Sequence, residues 1–376
     1  MPSASSNVNF FPATMSTENI ILTIAIPTYN RAAFLDELLV GLRGHSQLAE
    51  ALAGEFEVLV VDNASTDTTP DVCARHLPSL ACGRIIRQKV NVGFPGNLRT
   101  AFSAARGRHV WILCDDDLAD NIIIKKILCA LRVYPGAAAL LLNRDIYDVS
   151  MTRLLQANSL GSRLTAVHES WDGKLRYAGS LLTASCVVLY RAKAERGFNH
   201  PSFAGTCCET MVLALHALQG GDLVVLGGAT IRYREGNNGS WNALWPWIYF
   251  HNIPMVVHDV LDAAGEWTYA QSFVAGRKNY IMFSLCYLMT SPITRIKKGY
   301  RIDDLKLIYG NTRVRSAAFF VISHTPKIFL RGAVISMMGL RLLFRQISEI
   351  RSASTLFRVP FVMFEKLKKF FQKERV

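Results

Sequence analysis

The chain has no uninterrupted apolar run long enough to cross a bilayer, although half of its 376 residues are hydrophobic. A membrane-spanning helix needs about 18 such residues, so the sequence predicts no transmembrane span. Residues 1–19 are polar and rich in serine and asparagine, without the basic and apolar regions of a secretory signal. We expect them to form a disordered lead-in.

Motifs that would assign the chain to several common classes are also missing. The eight cysteines form no CxxC pair and no zinc-finger spacing, which indicates small buried thiols in a reducing compartment. No GxGxxG joins the first predicted strand to its helix, which argues against NAD or FAD. No histidines show HxH or HExxH spacing, and the glycine-containing loop 91–97 lacks the Lys-Ser/Thr of a P-loop.

Acidic residues are scarce in the last quarter of the chain. Residues 291–376 contain 18 Lys and Arg against 5 Asp and Glu, whereas residues 1–290 contain 24 of each, so the net charge of +13 lies entirely in the last quarter. There Phe361 and Phe364 share one helical face, and Lys366 and Lys369 lie on another. Such helices suit an anionic membrane surface, and their apolar content argues against nucleic acid. An amphipathic helix packed on the protein itself is the alternative.

Apolar strands and helix-length segments alternate over the first 145 residues. Strands are predicted at 20–26, 57–61, 84–90, 110–114 and 137–142, and helices at 31–43, 67–77, 95–105 and 122–133. This alternation favours an α/β fold with a Rossmann-like, mostly parallel sheet covered by helices on both faces. Farther along, we expect strands at 181–190, 223–226 and 229–233, a helix at 209–218, and a helical region over 236–376.

Polar residues stand where the predicted strands end. The first strand is followed by Pro27, Thr28, Tyr29, Asn30 and Arg31. The second strand is followed by Asp62, whose carboxylate could accept a hydrogen bond from a nucleobase or a ribose hydroxyl. Ligands of α/β sheets bind outside the carboxyl ends of the strands, although Asn30 could instead cap the next helix. Backbone N–H groups of the 91–97 loop could line the same ligand.

Three consecutive carboxylates, Asp115, Asp116 and Asp117, follow the buried strand 110–114. Crowded carboxylates repel one another, and a hard cation such as Mg²⁺ or Mn²⁺ relieves the repulsion. The alternative is a solvated acidic loop before the next helix, where aspartate is favourable in any case.

In their order and spacing, these segments resemble the inverting GT-A glycosyltransferases of family 2. The likeness covers about residues 20–235 and is carried by residues 26–31, 60–67, 91–97 and 115–117. Together with the triplet, the stretch Asn237–Trp241 is similar to the abequosyltransferase-type branch, which works in bacterial O-antigen assembly. The resemblance implies a GT-A domain with a nucleotide-binding half at 20–118 and an acceptor half at 119–235.

The resemblance also implies a role for each candidate residue. The nucleotide-binding set would comprise Pro27, Thr28, Tyr29, Arg31, Asp62, Asn91, Gly93, Asn97, Asp115 and Asp116. Within this set, Asp62 would bind the nucleobase. Asp115 and Asp117 would form the DxD metal motif, with Asp117 the direct ligand, Asp115 nearer the ribose and metal waters, and Asp116 able to serve either purpose.

An inverting transfer also needs a base that takes the proton of the acceptor hydroxyl. The family places an acidic residue at a helix start downstream of the DxD, and Glu209 stands in that position. The family often has Glu-Asp where this chain has Glu209-Thr210. Glu209 could instead be a first-turn acid that complements the helix dipole, and Asp172 is the reserve candidate for the base.

The expected activity is transfer of one sugar from a nucleotide-sugar donor to a glycan, lipid-linked O-antigen or other surface polysaccharide, with Mg²⁺ or Mn²⁺. We expect a peripheral protein on the cytoplasmic face of the inner membrane that binds no nucleic acid. A nucleotidyltransferase would use a similar carboxylate cluster, and a non-catalytic membrane-surface scaffold is the third alternative.

Overall fold

A computed structural model of the chain describes residues 6–9, 20–43, 54–80, 82–161, 163–236, 248, 252–266 and 268–269. The chain divides into two units, Met1–Arg277 and Lys278–Val376, and every described residue belongs to the first. The stretch Asn237–Trp241 and the basic helices predicted beyond residue 290 lie outside the described residues.

The strands and helices of the described part follow one another along the chain. The strands are β1 (Ser6–Asn9), β2 (Leu22–Thr28), β3 (Phe56–Asp62), β4 (Gly83–Arg87), β5 (His109–Ile112), β6 (Ala137–Tyr147), β7 (Leu154–Gln156), β8 (Ala166–His168), β9 (Val187–Tyr190) and β10 (Asp222–Arg234). The α-helices are α1 (Ala32–Arg43), α2 (Thr69–His76), α3 (Gly93–Ala104), α4 (Asn121–Val133), α5 (Trp171–Leu175), α6 (Arg191–Ala194), α7 (Glu209–Leu218) and α8 (Ile253–Ala263).

The strands form one mixed sheet in the order β1-β4-β3-β2-β5-β9-β6-β10-β8, with β7 paired to β6. Strands β2 to β5 are parallel neighbours, and β6 and β10 are parallel to each other. Strand β9 runs antiparallel between β5 and β6, so these two strands still point the same way. The sheet is therefore mostly parallel, as predicted, and the carboxyl ends of β2 to β6 and β10 reach one edge.

Continuous burial explains why the central segments are strands. Every residue of β2 and β3 is buried, which is typical of parallel strands covered by helices. Helix α3 packs on β2 and β3, while α7 packs on β6 and β9. Helix α1 buries Leu35, Leu38, Leu39 and Leu42, which recur at helical spacing.

The structure corrects three predictions made from the sequence. Residues 6–9, expected to be disordered, form β1 and pair with β4. The strand expected at 181–190 is shortened to β9, because a 3₁₀ turn occupies residues 184–186. The two strands expected at 223–226 and 229–233 are one strand, β10, with an irregularity between Leu226 and Thr230.

Two glycines form the irregularity in β10. A Cβ atom on Gly227 would lie 2.6 Å from the backbone carbon of Leu164, and Gly228 has a φ of +67°. Close backbone approach and positive φ both favour glycine, which explains how the strand continues past this point.

No helix of the described residues is both long and apolar enough to cross a membrane. The seven cysteines within these residues are free thiols. Cys129 is exposed, contrary to the expectation that all eight are buried, whereas Cys286 lies outside the described residues.

Candidate active site

The parallel strands bring the polar residues at their ends to one edge of the sheet. In register, Thr28 at the end of β2 lies opposite Asp62 at the end of β3, and Asp62 lies opposite Arg87 of β4. Strand β5 ends at Ile112, three residues before Asp115. The predicted nucleotide-binding edge is thus assembled from three neighbouring strands.

Asp115 is held by both of its carboxylate oxygens. Thr28 Oγ1 donates to Asp115 Oδ2 at 2.7 Å, and Arg31 Nη1 donates to Asp115 Oδ1 at 3.1 Å. The same Arg31 atom donates to Asp116 Oδ2 at 2.8 Å. Burial raises the pKa of Asp115 to about 6, although Arg31 and Thr28 favour the ionised form. Three of the predicted site residues therefore form one network with Asp116.

Asp117 has the higher pKa of the two carboxylates. Its side chain is 2% exposed, and Oδ1 accepts a hydrogen bond from the backbone N–H of Arg234 at 2.9 Å. Burial, followed by the neighbouring Asp116, raises the pKa of Asp117 to about 7, although Ser185 donates a hydrogen bond to it. A bound cation would reverse that effect by favouring the ionised form.

The donor atoms at this edge fit a hard divalent cation. Ligand atoms of Cys114, Asp116 and Asp117 lie within 4.8 Å of one another. Burial raises the pKa of the Cys114 thiol well above its usual value, and a neutral thiol suits Mg²⁺ or Mn²⁺ less well than carboxylates do. The pair that fits best is therefore Asp116 and Asp117. Asp115, predicted as the second metal residue, does not belong to this group; Thr28 and Arg31 donate to its two oxygens, and Arg31 also donates to Asp116.

Two buried acceptors near the end of β3 have no hydrogen-bond partner. They are Asp62 Oδ2 and Asn97 Oδ1. Asp62 Oδ1 accepts from the Ser65 N–H, and Oδ2 lies 3.3 Å from Arg87 Nε without a hydrogen bond. Asn97 Nδ2 donates to the Val61 carbonyl at 2.8 Å. Unsatisfied buried acceptors are rare and favour a ligand that donates hydrogen bonds.

The loop before α3 is anchored to the end of β3 by Asn63. Asn63 Nδ2 donates to Asn91 Oδ1 at 2.9 Å, and Asn63 Oδ1 accepts from the Val92 N–H. Asn91 Oδ1 also accepts from the N–H of Gly93, whose φ is +73°. This arrangement fixes the predicted loop beside Asp62.

The other residues of segment 26–31 differ in their surroundings. Pro27 lies within β2, whereas Tyr29 is exposed. Asn30 does not cap α1: its φ is 52°, and its side-chain oxygen accepts from the Thr66 N–H. Asp67 accepts from the N–H of Ala32, the first residue of α1, and from Thr69 at the start of α2.

Glu209 is the first residue of α7, as predicted, and it is buried. Burial raises the pKa of Glu209 to about 7. Within the described part of the chain, no hydrogen bond or ion pair joins Glu209 to the aspartate triplet. The reserve candidate, Asp172, lies exposed in the first turn of α5.

Sequence reasoning missed two residues of this site, Arg234 and Ser185. Arg234 ends β10 and donates through its Nε to the Asp116 carbonyl at 2.7 Å. Ser185 Oγ accepts from the Cys114 N–H at 2.9 Å. Neither residue belongs to a recognisable motif, and the only signal was that Arg234 stands at the end of a predicted strand.

Residues 23–161 match the sequence model of the family described as glycosyl transferase family 2. Over these residues the chain is similar to a family 2 glycosyltransferase domain. The match includes strands β2, β3 and β5 and the aspartate triplet.

Two curated relatives match part of the chain. An abequosyltransferase, RfbV of Salmonella typhimurium, is 30% identical over 156 residues, which are 40% of this chain and 41% of the relative. The poly(ribitol-phosphate) beta-N-acetylglucosaminyltransferase TarS of Staphylococcus aureus is 31% identical over 104 residues, 27% of this chain and 17% of the relative. The chain thus spans less than half the length of these relatives.

A solved structure shares the fold over a longer stretch. The crystal structure of residues 1–349 of S. aureus TarS with UDP-GlcNAc has a TM-score of 0.54 and 16% identity, and the match covers 77% of this chain and 80% of that one. At this identity the likeness concerns the fold, which is GT-A-like as predicted.

Proposed function

We propose that this protein is an inverting glycosyltransferase that moves one sugar from a nucleotide-sugar donor to a glycan acceptor. The observation that carries the proposal is the single sheet edge on which Asp62, Asp115, Asp116 and Asp117 meet. The family 2 match over residues 23–161 supports the reaction class, and relatives named as sugar transferases support it further.

In this proposal the residues at the sheet edge bind different parts of the donor and the cation. Asp62 and Asn97 would accept hydrogen bonds from the nucleoside, since each has a buried oxygen that accepts no hydrogen bond, although Asp62 Oδ2 is ion-paired with Arg87. Asp116 and Asp117 would hold Mg²⁺ or Mn²⁺. When bound, the cation would offset the negative charge that develops on the departing diphosphate. Arg31, which already contacts Asp115 and Asp116, lies where it could contact the same diphosphate.

Glu209 would be the base. As the acceptor oxygen bonds to the anomeric carbon and the carbon–diphosphate bond breaks, the hydroxyl proton would pass to the Glu209 carboxylate. A base is most effective when its pKa is close to the working pH, and burial raises the pKa of Glu209 to about 7. This agreement supports Glu209 as the base, whereas Asp172 is exposed.

The proposal extends to the acceptor and to the location of the protein in the cell. The resemblance to abequosyltransferases favours a lipid-linked O-antigen or another surface polysaccharide, used on the cytoplasmic face of the inner membrane. The basic sequence beyond residue 290 would contact the anionic lipid surface.

Two measurements on the full chain test the proposal. A thermal-shift screen of nucleoside diphosphates with Mn²⁺ should reveal one that raises the melting temperature, because a ligand of the folded state stabilises it. With the corresponding nucleotide sugar, the released product should be a nucleoside diphosphate. Release of pyrophosphate would instead indicate a nucleotidyltransferase, and no binding of any nucleotide would favour a scaffold.

A further inference from the structure

Arg234 connects the aspartate triplet to two other segments of the protein. Its Nε donates to the Asp116 carbonyl at 2.7 Å, its Nη2 donates to Glu37 Oε2 at 2.6 Å, and its Nη1 donates to the Val149 carbonyl. Its own backbone N–H donates to Asp117 Oδ1 at 2.9 Å. One residue therefore bonds to two consecutive members of the triplet, to α1 and to the turn after β6.

The arginine is buried, so its hydrogen bonds are needed to offset the cost of burying its charge. Arg234 is 3% exposed, and a buried guanidinium is unfavourable unless its donors are paired. All three of its nitrogens find acceptors, and its Cζ lies 4.9 Å from the centre of the Phe34 ring. The planar guanidinium has a fixed orientation when its donors are spread over several acceptors. The Asp116 backbone consequently has a fixed position relative to α1.

The two arginines near the triplet make different contacts. Arg31 is about one-third exposed and donates to the carboxylates of Asp115 and Asp116. Arg234 instead donates to the main-chain oxygen of Asp116. The acceptors of its side chain are two main-chain carbonyls and Glu37. Its guanidinium therefore leaves the carboxylate oxygens of Asp116 and Asp117 to a cation.

We infer that Arg234 is a positioning residue that orients Asp116 and Asp117 toward a divalent cation. The inference rests on the proposed function, since it assumes that these two aspartates bind metal. Groups that orient metal ligands without touching the metal commonly change metal affinity by about 10- to 100-fold when they are removed. Arg234 acts through Asp116 and Asp117 and contacts no substrate atom in this assignment.

The test measures Mn²⁺ alone, by electron paramagnetic resonance of the free ion at equilibrium with the full-length protein. Arg234→Gln should weaken Mn²⁺ binding by about 10- to 100-fold. Arg234→Lys should also weaken it, because lysine keeps the charge but cannot donate to separated acceptors through a planar group. The matched control is Arg232→Gln, on the same strand, where the exposed side chain leaves the backbone bonds to Leu118 in place. It should bind Mn²⁺ as the wild type does.

If Arg234→Gln does not fold, Glu37→Gln replaces it. Glu37 lies on the exposed face of α1, and its replacement by Gln would remove the negative charge that pairs with the guanidinium while leaving the triplet intact. We expect a weakening of several-fold, at the lower end of the range for such residues. Equal Mn²⁺ affinity in the wild type and in the folded Arg234 or Glu37 variants would overturn this inference alone. Absence of Mn²⁺ binding by the wild type would overturn the metal assignment of the proposed function as well.

Discussion

The two halves of the domain provide their functional groups in different ways. In the first half, Asp115 and Asp62 lie at strand ends and accept hydrogen bonds from Thr28, Arg31 and Ser65. In the second half, Glu209 begins a helix and, among the described residues, accepts no hydrogen bond from another side chain. The comparison teaches that the candidate ligand-binding carboxylates are held by hydrogen bonds from other side chains and the backbone, whereas the candidate base has no such side-chain partner in the described part of the chain and its pKa is raised by burial.

The largest effect that this comparison predicts concerns Asp117, which lies in the first half and accepts hydrogen bonds from Arg234 and Ser185 of the second half. Asp117→Ala should reduce sugar transfer by about 10⁴-fold or more, because it removes a ligand of a cation that supplies several kcal/mol of transition-state stabilisation. Turnover of nucleotide sugar by the purified variant measures this, with circular dichroism to establish that the fold is intact. Near-normal turnover in a folded variant would make the site assignment wrong.

Replacement of the base should have the next largest effect. Glu209→Gln should lower turnover by about 10²- to 10⁴-fold while leaving nucleotide affinity unchanged, since the residue acts on the acceptor proton. In the wild type the rate should rise with pH through about 7, where Glu209 loses its proton, and the variant should lack that rise. Asp172→Asn is the matched comparison. If that variant lost turnover and Glu209→Gln did not, the base would be Asp172.

A smaller effect should separate binding from chemistry in the first half. Asp62→Asn should weaken donor binding by about 10- to 100-fold, as expected for a lost hydrogen bond to a charged group. Turnover at saturating donor should change little, because Asp62 is distant from the reacting bond in the proposed arrangement. Isothermal titration with the nucleoside diphosphate measures the affinity, and Asp71→Asn, on an exposed part of α2, is the control. A fall in turnover without a fall in affinity would contradict this division.

A further effect is on stability rather than on activity, and it concerns Glu209 without any ligand. Burial raises its pKa from 4.5 to about 7, so the folded state binds the proton more tightly than the unfolded state does. Its contribution to stability is complete below 4.5 and is lost as the pH rises to about 7. The total is at most about 3.5 kcal/mol, since one pKa unit corresponds to about 1.4 kcal/mol.

Urea unfolding of the wild type and of Glu209→Gln across this pH range measures the contribution. The difference between their free energies of unfolding should shift in favour of the variant as the pH rises. Equal pH dependence of the two proteins would mean that Glu209 is solvated, and it would remove the contrast between the two halves.

The first half of the domain was predicted well because its signals are local. Continuous apolar runs produced β2, β3 and β5 close to their observed bounds, and polar residues at their ends marked Thr28, Asp62 and the triplet. Predictions failed where distant contacts decide the outcome. Residues 6–9 gain their strand partner only when β4 is present.

The sequence by itself determined the alternation of strands and helices, the parallel sheet and the edge on which the aspartates stand, because apolar periodicity and strand ends are properties of adjacent residues. It did not determine how the three aspartates differ. Only the tertiary structure places Asp115 against Thr28 and Arg31, groups Asp116 with Asp117, and brings Arg234 to the loop from 118 residues away. The physical reason is that a buried carboxylate takes its role from its partners, and those partners come from separate strands and helices.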